Sequence, residues 1–341
     1  MSNYLRILSY LKCSIVRPFK VLLYIIIVMM MSSIYGCRST KDTIPPVPPK
    51  GYKNLTFLKI AHVLGRIDLI EEKPTIPPEI NTLSNINYKI VGNDTLRLNI
   101  YSKLNIDKPT PLLIFIHGGS WRGGKKEDYL PYIIPFTKRG YVCATISYHL
   151  YPPTNFPAAV EDVKCAIRWL RTHAKEYNIN PDKIALLGGS AGSHLAMMAG
   201  YTDDSTYSAG CDWNDVSSKV QAIIAIYGPT DLTTDFAINN HLVVDFLGKK
   251  YSEAPQLYKE ASPINYVTKD DPPTLIFHGT IDDIVPVIQS DKLKKKLDDM
   301  GVENEYHRLK GWPHAMDIAK PVNNYTQYYI NEFLKKHIPL K

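Results

Sequence analysis

The stretch KIALLGGSAGSHLAMMA, residues 183–199, decides how the rest of the chain is read. Its first part, KIALL, is a short continuous apolar run of the kind found in strands buried on both faces. Its last part, SHLAMMA, is helix-like. Between them Gly188, Gly189, Ser190, Ala191 and Gly192 read G-x-S-x-G. A strand that turns sharply into a helix at such residues holds the serine on a strained elbow. Its hydroxyl is then exposed at the carboxyl edge of a sheet. A Gly-Ser turn between strand and helix is common, so the weight of the motif comes from what surrounds it.

Apolar runs and helical periods alternate on both sides of this stretch. NINYKIV and TLRLNIYS flank the turn pair Asn93-Asp94 and read as an antiparallel hairpin. PLLIFIHGG and YVCATISY are buried strands, with YLPYIIPFTKRG between them as a crossover helix. AAVEDVKCAIRWLRTHAKEY has a helical period with one apolar stripe. VQAIIAIYG, PTLIFHG and ENEYHRL supply further strands, and VIQSDKLKKKLDDMG and YTQYYINEFLKKH further helices. This alternation predicts the α/β class: a mostly parallel central sheet with N-terminal antiparallel strands and helices on both faces. The catalytic domain is expected over residues 80–341.

The chain of 341 residues, 45% hydrophobic and 21% charged, has the composition of a folded protein and is long enough for one large α/β domain. Its formal charge of +7 overstates the basicity of that domain, because Arg6, Lys12, Arg17 and Lys20 stand in the acid-free first 36 residues and leave +3 for the rest. No basic block interleaved with aromatics occurs, which speaks against nucleic acid as a partner. The basic start, the apolar run Val21–Met31 and the small residues before Gly36 read as a signal peptide over 1–36. Cys37 after IYG resembles the lipobox of bacterial lipoproteins, which makes it the candidate lipidation site and membrane anchor. An uncleaved N-terminal anchor and ordinary secretion with cleavage near Gly36 are the alternatives. All three place the domain outside the cytoplasm. Residues 37–79 read as a Pro-rich tether followed by a short extension, in which TFLKIAHVLGRI is a candidate helix against the body. Cys143 and Cys165 read as small buried hydrophobes, and one disulfide among Cys143, Cys165 and Cys211 stays open. Nothing in the sequence sets an oligomeric state.

A serine hydroxyl needs a base to take its proton and a third group to orient that base. HGTIDDIVP places Asp282 after the strand PTLIF, with Asp283 as the adjacent alternative, and GWPHAM places His314 after ENEYHRL. The order Ser190, Asp282, His314 is the order of α/β-hydrolase triads. His173, His241, His278 and His307 lack this placement, and His117 reads as a loop organiser. Attack on an acyl carbonyl builds an oxyanion that needs fixed backbone donors. HGGSW, residues 117–121, supplies them through Gly119 and Ser120, and Ala191 follows the nucleophile. A phosphate-binding glycine loop is the competing reading of HGGSW, but no Gly-Lys-Ser/Thr follows. The histidines are dispersed without an H-x-x-x-H pair, so neither a metal nor a cofactor is called for.

HGGSW, GGSAGSHLA, HGTIDDIVP and GWPH, in that order over Ile86 to His337, resemble the esterase/lipase branch of the α/β-hydrolase superfamily. That branch includes the hormone-sensitive-lipase and bacterial acetyl-esterase groups. The resemblance implies the α/β-hydrolase fold, a Ser190–Asp282–His314 triad and oxyanion donors at Gly119, Ser120 and Ala191. Ser120 stands where many relatives have a third glycine, a change that leaves the backbone donor in place. NFPAAVEDVKCAIRWLR and Gly228-Pro229-Thr230-Asp231 are similar to Bacteroidetes feruloyl and acetyl esterases, secreted or lipid-anchored and active on hemicellulose. The expected function is therefore a serine carboxylic-ester hydrolase removing acetyl or feruloyl groups from hemicellulose such as xylan, in the bacterial envelope as an outer-membrane lipoprotein. Periplasmic or secreted placement is the alternative. Other small acyl esters, an arylformamidase-like amide substrate and a non-catalytic binding protein are the competing functions. Trp121, Tyr148, Tyr227 and Trp312 are the candidate substrate-binding residues, with Tyr151, Trp213 and Phe236 as further aromatic candidates.

Overall fold

The computed structural model describes residues 45–340. The signal peptide over 1–36 and the lipidation site at Cys37 lie outside the described residues. Helix α1 (Leu55–Val63) precedes strands β1 (Ile80–Val91), β2 (Asp94–Lys103) and β3 (Thr110–Ile116). Helix α2 (Leu130–Arg139), β4 (Val142–Ile146), α3 (Ala158–Thr172), β5 (Ile179–Gly189) and α4 (Ala191–Tyr201) follow. After β6 (Ala222–Ile226) come the short helices α5 (Asp235–Ile238), α6 (His241–Leu247) and α7 (Pro255–Glu260). The chain ends with β7 (Thr274–Gly279), α8 (Ile288–Met300), β8 (Asn304–Leu309) and α9 (Lys320–His337).

The strands form one sheet in the order β1-β2-β4-β3-β5-β6-β7-β8. β1, β2 and β4 pair antiparallel in turn, and every later pairing is parallel. This is the α/β-hydrolase fold that the resemblance implies, and its mostly parallel sheet is what the strand–helix alternation predicts. β3 shows why both faces must be covered. Leu112, Ile114 and Ile116 join one core cluster, and Leu113 and Phe115 the other. A period of two therefore sends apolar side chains to both sides. Helices α3, α4 and α8 cover the first face, and α2 and α9 the second.

The β1–β2 hairpin closes one residue earlier than the sequence reading. Val91 pairs with Asp94, so Gly92 and Asn93 form the turn, with Gly92 at φ 58°. Glycine takes that positive φ without the steric cost an aspartate would meet. Helices α5 to α7 have no counterpart among the predicted elements, because four to seven residues are too few to show a helical period. Residues 46–79, read as tether and extension, pack on the body. The Tyr52 amide donates to the Gly311 carbonyl at 2.9 Å, the Trp312 indole donates to Pro49 at 2.9 Å, and the Lys320 amide donates to Asp68 at 2.8 Å.

Cys165 is not a free hydrophobe: it is bonded to Cys211, while Cys143 stays free and buried. The disulfide is one of four ties from a single stripe of α3 to the 203–219 loop. Lys164 donates to the carbonyl of Thr206 at 2.6 Å, Arg168 to that of Val216 at 2.9 Å, and Arg171 to those of Ser217 and Lys219. The helical spacing of 164, 165, 168 and 171 puts all four on the loop side. A loop with so little apolar burial of its own depends on such ties. The double substitution Cys165→Ala/Cys211→Ala should lower unfolding free energy by about 2–4 kcal/mol, since a loop of this length gains that much freedom in the unfolded chain. Urea unfolding under non-reducing conditions measures it, and an unchanged midpoint would show that the cross-link contributes nothing.

Candidate active site

The elbow forms where β5, α4 and β3 approach at a separation only glycine permits. A Cβ at Gly188 would lie 2.3 Å from the Gly192 carbonyl, and one at Gly192 would lie 2.0 Å from the Ile116 oxygen. Ser190 has φ 55° and ψ −122°. Holding a side-chain-bearing residue there costs about 1–3 kcal/mol. Its amide donates to the Ile226 carbonyl at 2.9 Å, and its carbonyl accepts from the His194 amide at 3.1 Å, so both sides of the turn are fastened.

Strand β3, adjacent to β5, ends in HGGSW. Gly119, Ser120 and Trp121 have φ of 110°, 55° and 58°, and the chain curls until the Gly123 amide donates to the Gly119 carbonyl at 3.0 Å. Gly119 and Ser120 line the cavity at Ser190, and their amides donate to no group among the described residues. Ala191 opens α4, where first-turn amides have no intrahelical acceptor. Three backbone donors therefore surround the serine hydroxyl, the arrangement an oxyanion requires. His117 braces this turn from below. Its Nδ1 lies 2.9 Å from the Gly118 oxygen, its ring stacks on Tyr148 at 4.3 Å, and burial pushes its pKa down. Tyr148 donates to the His117 carbonyl at 2.8 Å and is buried behind the turn, outside the cavity.

Strands β7 and β8 bring the other two groups. Nε2 of His314 is 2.9 Å from Ser190 Oγ, and Nδ1 is 2.7 Å from Asp282 Oδ2. Asp282 also accepts from the amides of Ile284 at 3.0 Å and Val285 at 2.8 Å. Asp283 is absent from this line of hydrogen bonds. Burial works against the charge on Asp282, but hydrogen bonds from His278 and His314 outweigh it and hold the carboxyl at about 2. A charged carboxylate only accepts, so Nδ1 of His314 carries the proton and Nε2 is left to accept from the serine. A hydroxyl so paired can attack an acyl carbon while the imidazole takes its proton.

Two cavities meet at Ser190. A cleft of about 360 Å³ runs past Ser120, His314, Tyr227 and Asp128. Beside it a notch of about 20 Å³ is lined by Trp121, Phe236, Leu242 and Val243. The wall of the notch is fixed by a buried histidine. Trp121 Nε1 donates to His194 Nδ1 at 3.2 Å, so Nε2 of His194 donates to the Ala261 carbonyl at 2.8 Å. Burial pushes His194 down to about 4, keeping it neutral in this role. Phe246 stacks on the far face of Trp121 at 4.4 Å. Tyr227 faces the cleft, its ring 4.7 Å from that of His314. Trp312 turns away towards Pro49 and Tyr52.

The BD-FAE family profile matches residues 98–297, more than half of the chain, with the elbow and Asp282 inside the match. The chain belongs to the BD-FAE family. Among curated relatives of this BD-FAE chain, Esterase LipQ of Mycobacterium tuberculosis is 35% identical over 252 residues, covering 71% of this chain and 59% of LipQ. The chain thus spans about six-tenths of that relative's length. Among solved structures, a truncated carbohydrate esterase from gut microbiota is similar at TM-score 0.66 and 27% identity, covering 77% of this chain and 98% of that one. An acetyl ester-xyloside bifunctional hydrolase from Caldicellulosiruptor lactoaceticus is similar at TM-score 0.64 and 26% identity, covering 72% and 89%.

Two groups at the site carry no sequence signal. His278 Nε2 lies 3.2 Å from Asp282 Oδ2 and its Nδ1 is 2.7 Å from Ser290 Oγ, so a second imidazole braces the acid. Asp317, three residues past His314, accepts from the Tyr227 and Tyr132 hydroxyls. Burial pushes its carboxyl up against the pull of those two donors. The depressed Asp282 gives a pH prediction. The group's ordinary value is 3.8 and its folded value about 2, so its contribution is complete above the unfolded value and lost as pH falls through the folded one. The stability advantage of the native protein over Asp282→Asn should therefore shrink by about 2 kcal/mol from neutral pH to below pH ~2. Paired urea titrations measure it, and a pH-independent difference would contradict the assignment.

Proposed function

We propose that the chain is a serine carboxylic-ester hydrolase that removes acetyl groups from carbohydrate alcohols of the hemicellulose type. The observation that carries the reading is the unbroken hydrogen-bond line Ser190–His314–Asp282 beside free backbone donors. Ser190 Oγ attacks the ester carbonyl as Nε2 of His314 takes its proton. Asp282 holds the tautomer and stabilises the imidazolium. The amides of Gly119, Ser120 and Ala191 receive the oxyanion. His314 then returns the proton to the leaving alkoxide, and a water deprotonated by His314 releases the acid from the acyl-enzyme. Every proton moves between named groups, and the cycle needs no cofactor.

The two cavities divide the substrate. The alkoxide takes its proton from His314, so the alcohol lies in the cleft that His314 lines, and the acyl group lies in the notch. About 20 Å³ is room for little more than one water-sized group. That fits the methyl of an acetyl group better than a feruloyl ring. The cleft mixes Asp128, Ser120 and Tyr227 with apolar walls, as a sugar alcohol requires. The carbohydrate esterase and the acetyl ester-xyloside hydrolase among the similar structures support this substrate class.

Ser190→Ala should lower kcat on p-nitrophenyl acetate by about 10,000-fold or more while the protein stays folded. A fluorophosphonate probe should label Ser190 in the native protein only, and a folded native protein that resists labelling would favour a non-catalytic binder. On a panel of p-nitrophenyl acetate, p-nitrophenyl octanoate, methyl ferulate and acetylated xylan, both acetyl substrates should lead. Preference for octanoate with no release from xylan would overturn the substrate assignment.

The proposed place is the bacterial envelope, with Cys37 lipidated and anchored in the outer membrane. The Cys165–Cys211 bond supports an oxidising compartment. Intact-mass analysis of natively expressed protein should find a mature chain starting at acylated Cys37. A species retaining residues 1–36, or one with unmodified Cys37, would rule this out.

A further inference from the structure

A second, apolar groove of about 420 Å³ opens beyond His314. Leu58 and Val63 of α1 form one wall, and Trp312, Met316 and Ile318 face them. Trp312 and Met316 are buried to 3% or less, whereas Val63 is 83% exposed, so the groove has a fixed floor and an open apolar lip. It borders the reactive cleft, sharing His314, Ala315 and Ile318 with it. Its polar side chains, Lys59 and His62, belong to α1 residues that are themselves exposed to solvent.

The position of the groove decides what can enter it. The acyl half of a substrate is placed in the notch beside Trp121 and Phe236, which His314 does not line. Only the alcohol half extends past His314. The lining decides the chemistry of that extension. A sugar ring laid there would leave its hydroxyls without partners, at a cost that rises with each one buried. An aromatic or alkyl group meets the ring of Trp312 and the aliphatic wall of α1 without that cost.

We propose that this groove binds an aryl or alkyl group carried by the alcohol half of the substrate. The sugar alcohol itself stays in the cleft, and the extension at residues 46–79, through α1, then adds a site for apolar groups attached to the alcohol. The inference rests on the serine-esterase reading. The test compares ethyl acetate with 2-phenylethyl acetate, whose alkoxides are similar in basicity, so that a difference between them reports binding. The native enzyme should favour the phenylethyl ester by about tenfold or more in kcat/KM. Val63→Asp should reduce that ratio several-fold, mainly through KM, and it touches no core packing because Val63 is exposed. Leu58→Asn is the second variant and should act in the same direction. Equal kcat/KM for the two esters, or variants that lower both in parallel, would overturn the groove assignment alone. Absence of turnover on both esters would remove the esterase reading and this inference with it.

Discussion

The site depends on one close approach. Gly192 lies under the last carbonyl of β3, and Gly188 lies against Gly192, so β5 can turn into α4 only with Ser190 in a left-handed backbone state. The geometry stacks the three nucleophile-side elements. The HGGSW turn continues β3, the serine continues β5, and α4 opens at Ala191 directly after it. Because β3 and β5 are neighbours in the parallel sheet, these groups are placed by strand pairing and not by flexible loops. The strain at Ser190 is offset by the rest of the fold, and it keeps the hydroxyl in a single direction.

The acid and base are governed by burial. Asp282 is held as a carboxylate by its hydrogen bonds despite its burial. His117 and His194 are pushed down by burial and act as hydrogen-bonding struts, one under the oxyanion turn and one behind Trp121. His278 donates towards Asp282 and the Val285 carbonyl, so the carboxylate is held from two sides as well as by backbone amides. A carboxylate so surrounded orients His314 without needing to move when the imidazole becomes charged.

Most of this was legible where chemistry and chain order coincide. The buried strand runs, the G-x-S-x-G elbow and the sequence of Ser190, Asp282 and His314 all follow from residue type at a given spacing. What could not be read has a common physical cause, which is contact between segments far apart in the chain. His278 looks like any strand-end histidine until α8 brings Ser290 to its other nitrogen. Tyr148 and Tyr227 are both aromatic residues just past a strand, yet one is buried behind His117 and the other faces His314. The pairing of Cys165 with Cys211 needs the fold of the 203–219 loop, which has no periodic pattern to predict it. The turn at Gly92-Asn93 was displaced by one residue because both dipeptides carry turn chemistry, and only the strand register separates them.

The loop that carries His314 shows how these pieces combine. Its His314 stands 124 residues after Ser190. Ala315, directly after the base, is itself left-handed at φ 53°, so the loop needs support from outside. On one side Asp317 is gripped by Tyr227 and Tyr132, and Asn323 donates to its carbonyl at 3.1 Å. On the other side the extension is threaded against Gly311 and Trp312, where a side chain on Gly51 would strike the Lys310 oxygen at 2.1 Å. The same segment then pairs Leu69 with Ala319. Residues 46–79 therefore do two things with one set of contacts. They close the outer side of the loop that carries His314, and they add an apolar wall beside it. A spacer that only joined an anchor to a domain would need neither the tight glycine crossing nor the helix that follows it.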